Sequence, residues 1–390
     1  MATQPIVPHQ STLPSDRLAA LTAELAATAE AYDRSGAFPR ANFDILAREG
    51  LIGLTVEPRL GGQGAGYADT LRVLGAVAKG EPSTALILFM TYAFHAAPEK
   101  KGRWPQGLYE KLAREAAAGA GLIGTFRVEP ELGTPVRGGL PKTIARRTAD
   151  GWRISGEKIY STGSTGLDWF AVWAKTDDPE PLLGLLLVDP KSPGIEIVPE
   201  WDHLGMRATV SHKVVFTDTP TPAAWAVDLR PPEEWAPTPG QANGQTLWNA
   251  LAIATIYDGI ARAARDWLAR YLNERVPTNL GASLATLPRV QEKFGEIEAL
   301  LQVNRTLIDS AAQAADRGDV PPAVQANLIK HMANANSIQA VAIGLELTGN
   351  PGISRNNPLE RHYRDVLCSR IHSPQADTVL VAAGKAGLTL

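Results

Sequence analysis

Hydrophobic and polar positions change period twice along the chain. From Arg17 to Asp33 the run RLAALTAELAATAEAYD repeats apolar residues at three- and four-residue spacing, after the helix-start signal Leu13-Pro14-Ser15-Asp16. Ala41–Glu49, Tyr67–Ala78, Ser83–Ala97 and Leu108–Ala118 carry the same helical period. Past Gly124 the pattern turns to short β-prone runs between glycines: Trp152–Ile154, Ile159–Thr162 and Trp169–Trp173. Leu182–Val188 is continuously apolar, as a strand buried on both faces would be, Ile195–Val198 alternates, and Lys213–Phe216 closes the β region. Six prolines in 219–240 predict a crossing loop. From Gln245 the helical period returns in Gln245–Arg275, Pro288–Asp316, Pro321–Leu347 and Asp377–Ala386, long segments with short connections that predict an antiparallel bundle. The expected class is α+β, with an N-terminal helical domain over 1–120, a middle β-domain over 121–228 and a C-terminal helical bundle over 229–390.

Composition narrows the partners. A formal net charge of −3 over 390 residues, with no run of five or six like charges, argues against a nucleic-acid partner. Cys368 is the only cysteine, which rules out an internal disulfide and a cysteine-based metal cluster, and no metal site is expected. The first residues lack a basic stretch followed by an apolar core, and no apolar run reaches about 18 residues, so the expectation is a cytoplasmic protein without a membrane span.

Two stretches carry candidate chemistry. Tyr160-Ser161-Thr162-Gly163 sets two hydroxyls beside a glycine that lets a ligand approach the backbone, and the loop Glu129–Pro135 is stiffened by two prolines and turned by Gly133. Both suit a flat ligand, and a β-sheet with polar turns would use the same residues. His95 lies in an apolar helix, where a histidine is more often a packed residue than a catalytic one. Gly61-Gly62-Gln63-Gly64 lacks the lysine and strand context of a phosphate loop and reads as a structural turn.

Val128-Glu129-Pro130-Glu131-Leu132-Gly133-Thr134, then Gly151–Lys158, Tyr160–Gly163 and Asp168, resemble the middle β-domain of the acyl-CoA dehydrogenase superfamily. Phe38-Pro39 with Leu46–Leu54 and Glu57–Gly64 resembles its N-terminal domain, and Leu204–Thr209 its last β-strands, so the likeness spans about 15 to 390. The resemblance implies a flavin, FAD or FMN, held by Val128, Gly133, Thr134, Tyr160, Ser161 and Thr162. It implies a substrate pocket reached by Thr209, Ser211 and Asn249. It further implies a flavin diphosphate held from a neighbouring subunit by Arg275, by Gln291 one turn from Pro288, which stands at the family's glutamine position, and by a loop altered to Leu347–Gly352 around Gly349, hence a homo-oligomer, expected as a tetramer.

Within that superfamily the expected reaction turns on one missing residue. Acyl-CoA dehydrogenases place a glutamate shortly after an Arg-Asp pair; here Arg364-Asp365 is followed by no glutamate through the C-terminus, and the other family position for the base is Asn249. His372 stands in the loop instead. Tyr160–Gly163 with Ile371-His372-Ser373-Pro374 resembles the dibenzothiophene monooxygenase-like branch, which takes reduced flavin from a separate reductase and uses O2 on sulfur, nitrogen or aromatic carbon. By that resemblance Ser161 or Thr162 bonds the flavin N5, His372 steadies the peroxide, and His95 reaches the pocket. Ser369 stands where that branch often carries a second histidine. The alternatives are an acyl-CoA dehydrogenase whose base is displaced to Asp377 or Asp258, and a non-catalytic flavin-binding homologue.

Overall fold

Helices come first, strands second and helices last in the structure, a computed structural model that describes residues 13–96, 104–132, 139–235 and 244–388. The first block is α1 (Ser15–Ser35), α2 (Arg40–Arg48), α3 (Tyr67–Gly80), α4 (Pro82–Ala96) and α5 (Gln106–Ala117). Almost every residue of α4 is buried, as expected of a helix apolar on all sides; it lies against α3 and the sheet. The backbone N–H groups of Tyr67 and Ala68 at the start of α3 donate to Asp316, 2.6 and 2.9 Å away, a cap supplied from the distant C-terminal block.

The strands are β1 (Ile123–Phe126), β2 (Ile144–Thr148), β3 (Gly151–Lys158), β4 (Trp169–Thr176), β5 (Leu183–Val188), β6 (Ile195–Val198), β7 (Lys213–Pro222) and β8 (Ala226–Arg230). They form one sheet in the order β6-β7-β3-β2-β4-β5-β8, with β1 parallel to β4. Every residue of β5 and all of β4 except Lys175 are buried, which explains their unbroken apolar runs.

Two sequence expectations need correction. Ile159–Thr162 is not a strand: β3 ends at Lys158 and the chain turns, because Tyr160 adopts a left-handed conformation (φ 54°) that a ladder cannot hold. The proline-rich stretch from 219 is not all loop, since β7 runs to Pro222 and β8 follows. β6 pairs only with residues 213–216 of β7, so beyond Phe216 that edge makes no β6 bonds and prolines at 220 and 222 cost no ladder bond there.

The last block is α6 (Gly244–Glu274), α7 (Pro288–Asp316), α8 (Ala323–Thr348), α9 (Leu359–Leu367) and α10 (Ala376–Gly387). At its centre a polar network replaces apolar packing. Asp258 on α6 accepts from Arg262 (2.5 Å) and from Asn304 Nδ2 on α7 (3.1 Å); Asn304 also bonds Ser337 and Asn336 of α8. Such a network is tolerable inside a bundle because its members are bonded to one another.

The short helix α9, unanticipated from the sequence, joins the bundle to the sheet. Arg364 grips Asp33 of α1 through two nitrogens (2.9 and 2.6 Å), Glu360 (2.7 Å) and the Leu204 carbonyl (2.9 Å). Asp365, fully enclosed, accepts the Met206 N–H at 2.6 Å. Gly205 is required between them: a β-carbon there would sit 2.5 Å from the Arg364 carbonyl oxygen. Burial pushes the Asp365 carboxyl up to about 7. The folded chain therefore keeps a proton that an unfolded aspartate, with pKa about 3.9, releases, and stability falls as pH rises from roughly 4 to 7. Asp365→Asn should flatten that part of the stability–pH curve by at most about 4 kcal/mol. Urea unfolding at a mildly acidic and a mildly alkaline pH measures it; an unchanged slope in the variant counts against the assignment.

Candidate functional site

The register of β3 and β7 builds the site. Lys158, the last residue of β3, lies opposite Val214 near the start of β7, so the turn leaving one strand runs beside the segment entering the other. Ser161 N–H donates to the His212 carbonyl (3.2 Å) and Gly163 N–H to the Thr209 carbonyl (2.8 Å). Gly163 has φ 80°, and a β-carbon would press on Leu167 and Ile87. Five non-glycine residues have positive φ among the described residues. Three of them sit here: Tyr160, Met206 (52°) and Val210 (41°). Strain of this kind persists only where surrounding structure enforces it, and it concentrates at ligand sites.

Hydroxyls and rings line the turn. Ser211 Oγ lies 2.9 Å from Thr209 Oγ1 and 3.2 Å from Thr162 Oγ1. Ser161 is different: its side chain is buried and its hydroxyl turns back toward the Lys158 carbonyl at 3.5 Å. Of the two hydroxyls read from the sequence, only that of half-buried Thr162 is presented outward. Tyr160 is 54 % exposed, edge-on to Trp201 and His203, which stack on each other at 3.6 Å. Burial lowers the pKa of His203 and of His212, so both imidazoles are neutral at neutral pH. Exposed Tyr160 and half-buried Trp201 and His203, beside paired hydroxyls and strained backbone, fit a planar, hydrogen-bonding ring such as a flavin.

Beneath the turn lies a buried ion pair. Lys158 Nζ is 2.6 Å from Glu129 Oε1, and the carboxylate also accepts Lys142 N–H (2.6 Å), Thr143 N–H (3.1 Å) and Thr143 Oγ1–H (2.7 Å). The neighbouring Val128 carbonyl accepts Ile159 N–H at 3.0 Å, so this pair anchors both chains that shape the turn. Gly133 and Thr134, also expected at the flavin, lie outside the described residues.

His372 belongs to a second constellation. Its Nε2 is 2.6 Å from the hydroxyl of Tyr257 on α6, and Lys330 of α8 donates to the carbonyls of His372 (3.2 Å) and Pro374 (2.8 Å). Burial first, and the Lys330 charge second, hold the imidazole down at about 4. His372, Lys330, Asn334 and Ser369 line a cavity of about 520 Å³ between α8 and α10. Among the described residues no hydrogen bond joins this group to Thr162 or Ser211. Tyr257 was not singled out in the sequence; a tyrosine inside a long apolar helix carries no signal of a partner more than a hundred residues away.

The remaining sequence candidates scatter. His95 is buried, with Phe94 and Tyr109 as its ring neighbours, in the aromatic cluster of α4 and α5. Asn249 is exposed near the start of α6 and bonded by Gln245. Arg275 follows the end of α6, exposed Gln291 bonds the Ala285 carbonyl, and Gly349 (φ 61°) ends α8. All three lie on the helical bundle.

The acyl-CoA dehydrogenase N-terminal, middle and C-terminal domain families match residues 15–121, 126–219 and 240–373. YdbM of Bacillus subtilis (strain 168) is 30 % identical over 368 residues, 94 % of each chain. The chain belongs to the acyl-CoA dehydrogenase family. It is accordingly a flavin-dependent oxidoreductase. L-evernosamine nitrososynthase of a Micromonospora species is 28 % identical, covering 98 % of this chain and 91 % of its own. The structure of KijD3 in complex with FMN and dTDP-3-amino-2,3,6-trideoxy-4-keto-3-methyl-D-glucose superposes with a TM-score of 0.82 at 27 % identity, over 99 % of this chain and 95 % of that one. No described helix is long and apolar enough to cross a membrane.

Proposed function

We propose that the protein is a two-component monooxygenase, which receives reduced FMN or FAD from a separate reductase and oxygenates a small S-, N- or aromatic substrate. One observation carries the reading: the α9–α10 connection holds neutral His372 and no carboxylate, and the family resemblance expects there the glutamate that takes the substrate proton. The two carboxylates able to replace that base differ in place, Asp377 lining the cavity with His372 and Asp258 not. Asp258 is tied to Arg262 and Asn304 inside the bundle, and Asp377 is exposed on the first turn of α10. The nitrososynthase likeness, and the amino sugar bound by KijD3, put an amine nitrogen first among the substrate atoms.

In this reading Val128, Tyr160, Thr162, Thr209 and Ser211 take the flavin ring, and Arg275, Gln291 and Gly349 serve the flavin of a neighbouring subunit. Exposed Met332 on α8, Leu380 and Val381 on α10, and Ile353 between α8 and α9 support a homo-oligomer, taken as a tetramer. The flavin supplies the two electrons that O2 requires. The chain's part is to orient the ring, exclude water and offer a hydrogen bond to the oxygen being transferred.

Stopped-flow mixing of the protein, loaded anaerobically with reduced FMN or FAD, against oxygenated buffer tests this. Reoxidation should be slower than for free reduced flavin, without a burst of hydrogen peroxide. Prompt one-phase reoxidation, with tightly held FAD that an acyl-CoA bleaches, would return the protein to the dehydrogenases; turnover with neither would leave a binding homologue. For the ring site, Thr162→Val should weaken flavin binding about five- to tenfold, the worth of one hydrogen bond, while Ser161→Ala changes it less than about twofold. Flavin fluorescence titration measures both, and equal losses would remove Thr162 from its assigned place.

A further inference from the structure

We infer that Tyr257 is a positioning residue that fixes the His372 ring in one tautomer, Nε2 bare and Nδ1–H facing the cavity between α8 and α10, so that the group received there is an acceptor oxygen. The tautomer stands on geometry; its use in oxygen transfer rests on the monooxygenase reading.

Tyr257 is fully buried, and among the described residues the imidazole Nε2 is the one hydrogen-bond partner of its hydroxyl, at 2.6 Å. Two arrangements satisfy that distance. If Nε2 carried the proton, the hydroxyl would accept it and leave its own proton inside the bundle without an acceptor, the costlier choice for a buried polar group. If the hydroxyl donates, Nε2 accepts and the ring proton sits on Nδ1, where the other bond no longer competes. Neither group escapes by ionising. Burial raises the Tyr257 phenol well above its usual range, and His372 stays neutral near pH 7 because burial and the Lys330 ammonium hold it at about 4.

Nε2 being spent on Tyr257, Nδ1 is the ring nitrogen left to the cavity that His372 lines. Two further groups there are unspent. Asn334 is 8 % exposed and Ser369 2 %, and neither Asn334 Oδ1 nor Ser369 Oγ has a hydrogen-bond partner. Lys330, bound to the His372 and Pro374 carbonyls, fixes the loop independently of the ring. Beside the charged Lys330, Arg370 and Asp377 that also line it, the cavity therefore offers a neutral ring donor, an amide oxygen and a hydroxyl to an oxygen-bearing group.

Magic-angle-spinning nitrogen NMR of the ¹⁵N-histidine-labelled, flavin-loaded protein reads the tautomer directly; His372→Gln, which removes one pair of signals, identifies them among the seven histidines. Wild type should show Nδ1 protonated and Nε2 bare by at least roughly tenfold, and Tyr257→Phe should bring the two tautomers toward parity. An Nε2–H ring in wild type, or a Tyr257→Phe spectrum identical to wild type, overturns the inference. Should Tyr257→Phe fail to fold, the wild-type spectrum decides alone. In folded Tyr257→Phe the fraction of reduced flavin converted to product should also fall. If the tautomer depends on Tyr257 while even wild type oxygenates nothing, the positioning stands and the monooxygenase reading fails.

Discussion

Lys158→Met is expected to destabilise the protein by about 3–5 kcal/mol and to loosen flavin binding with it. The Lys158 side chain is 0 % exposed and that of Glu129 4 %, so removing the ammonium strands a carboxylate in the interior with three hydrogen-bond donors and no countercharge. Burial by itself would raise the Glu129 pKa; the bonds from Lys158, Thr143 and the Lys142 N–H outweigh it and leave a net depression. A depressed carboxylate stabilises the fold above its unfolded pKa of about 4.3, and that contribution is lost as pH falls through the folded value. Lys158→Met should therefore cost less in acid than at neutrality. Lys158→Met with Glu129→Leu should recover part of the loss, because an apolar pair carries no stranded charge. Urea midpoints of the single and double variants measure this. A single-variant loss below about 1 kcal/mol would mean that water reaches the pair, as it does at surface pairs.

Such a pair is invisible to pattern reading: Lys158 and Glu129 each look like ordinary surface charges in the sequence. What the sequence does display is periodicity. The helix Pro288–Asp316 was legible to the residue because 29 positions keep one period, the other two long helices to within one or two residues, and β4 and β5 because burial on both faces leaves them apolar. The helix α9 was not, since LERHYRDVL offers few apolar positions and is held by ion pairs to Asp33 and by the Met206 N–H. The hydroxyl-rich turn at 160–163 was legible by composition, but which hydroxyl faces outward depends on a left-handed Tyr160 that no local pattern encodes. That Thr209 and Ser211 join Thr162 follows from the β3–β7 register, a long-range property. Arg364 and Asp365 were legible as a family signature, and their physical task, docking the bundle onto the sheet, emerges only from their partners.

His372→Ala should lower the yield of oxygenated product about a hundredfold, with the missing oxygen appearing as hydrogen peroxide. That is the usual scale for losing one preorganised donor from a dry site. The substitution is informative because, although it takes the acceptor of the Tyr257 hydroxyl away with the ring, it leaves the anchor of the loop in place. The loop is held through the His372 and Pro374 carbonyls by Lys330, and those bonds do not involve the imidazole. Flavin affinity should therefore be retained, since Thr162 and Ser211 belong to the separate turn beside β7. Charge is not at issue either. Held at about 4, the imidazole is neutral through the physiological range, so wild-type yield should be flat from pH 6 to 8, unlike that of an enzyme relying on an ordinary histidine near 6.5. Product by mass spectrometry and peroxide by a coupled peroxidase, with chemically reduced flavin supplied, separate the possible results. A drop in melting temperature with unchanged yield would make His372 a packing residue. A yield that falls in wild type as pH drops from 8 to 6 would show an imidazole that takes up a proton there, and with it a site wetter than the burial of Tyr257 allows.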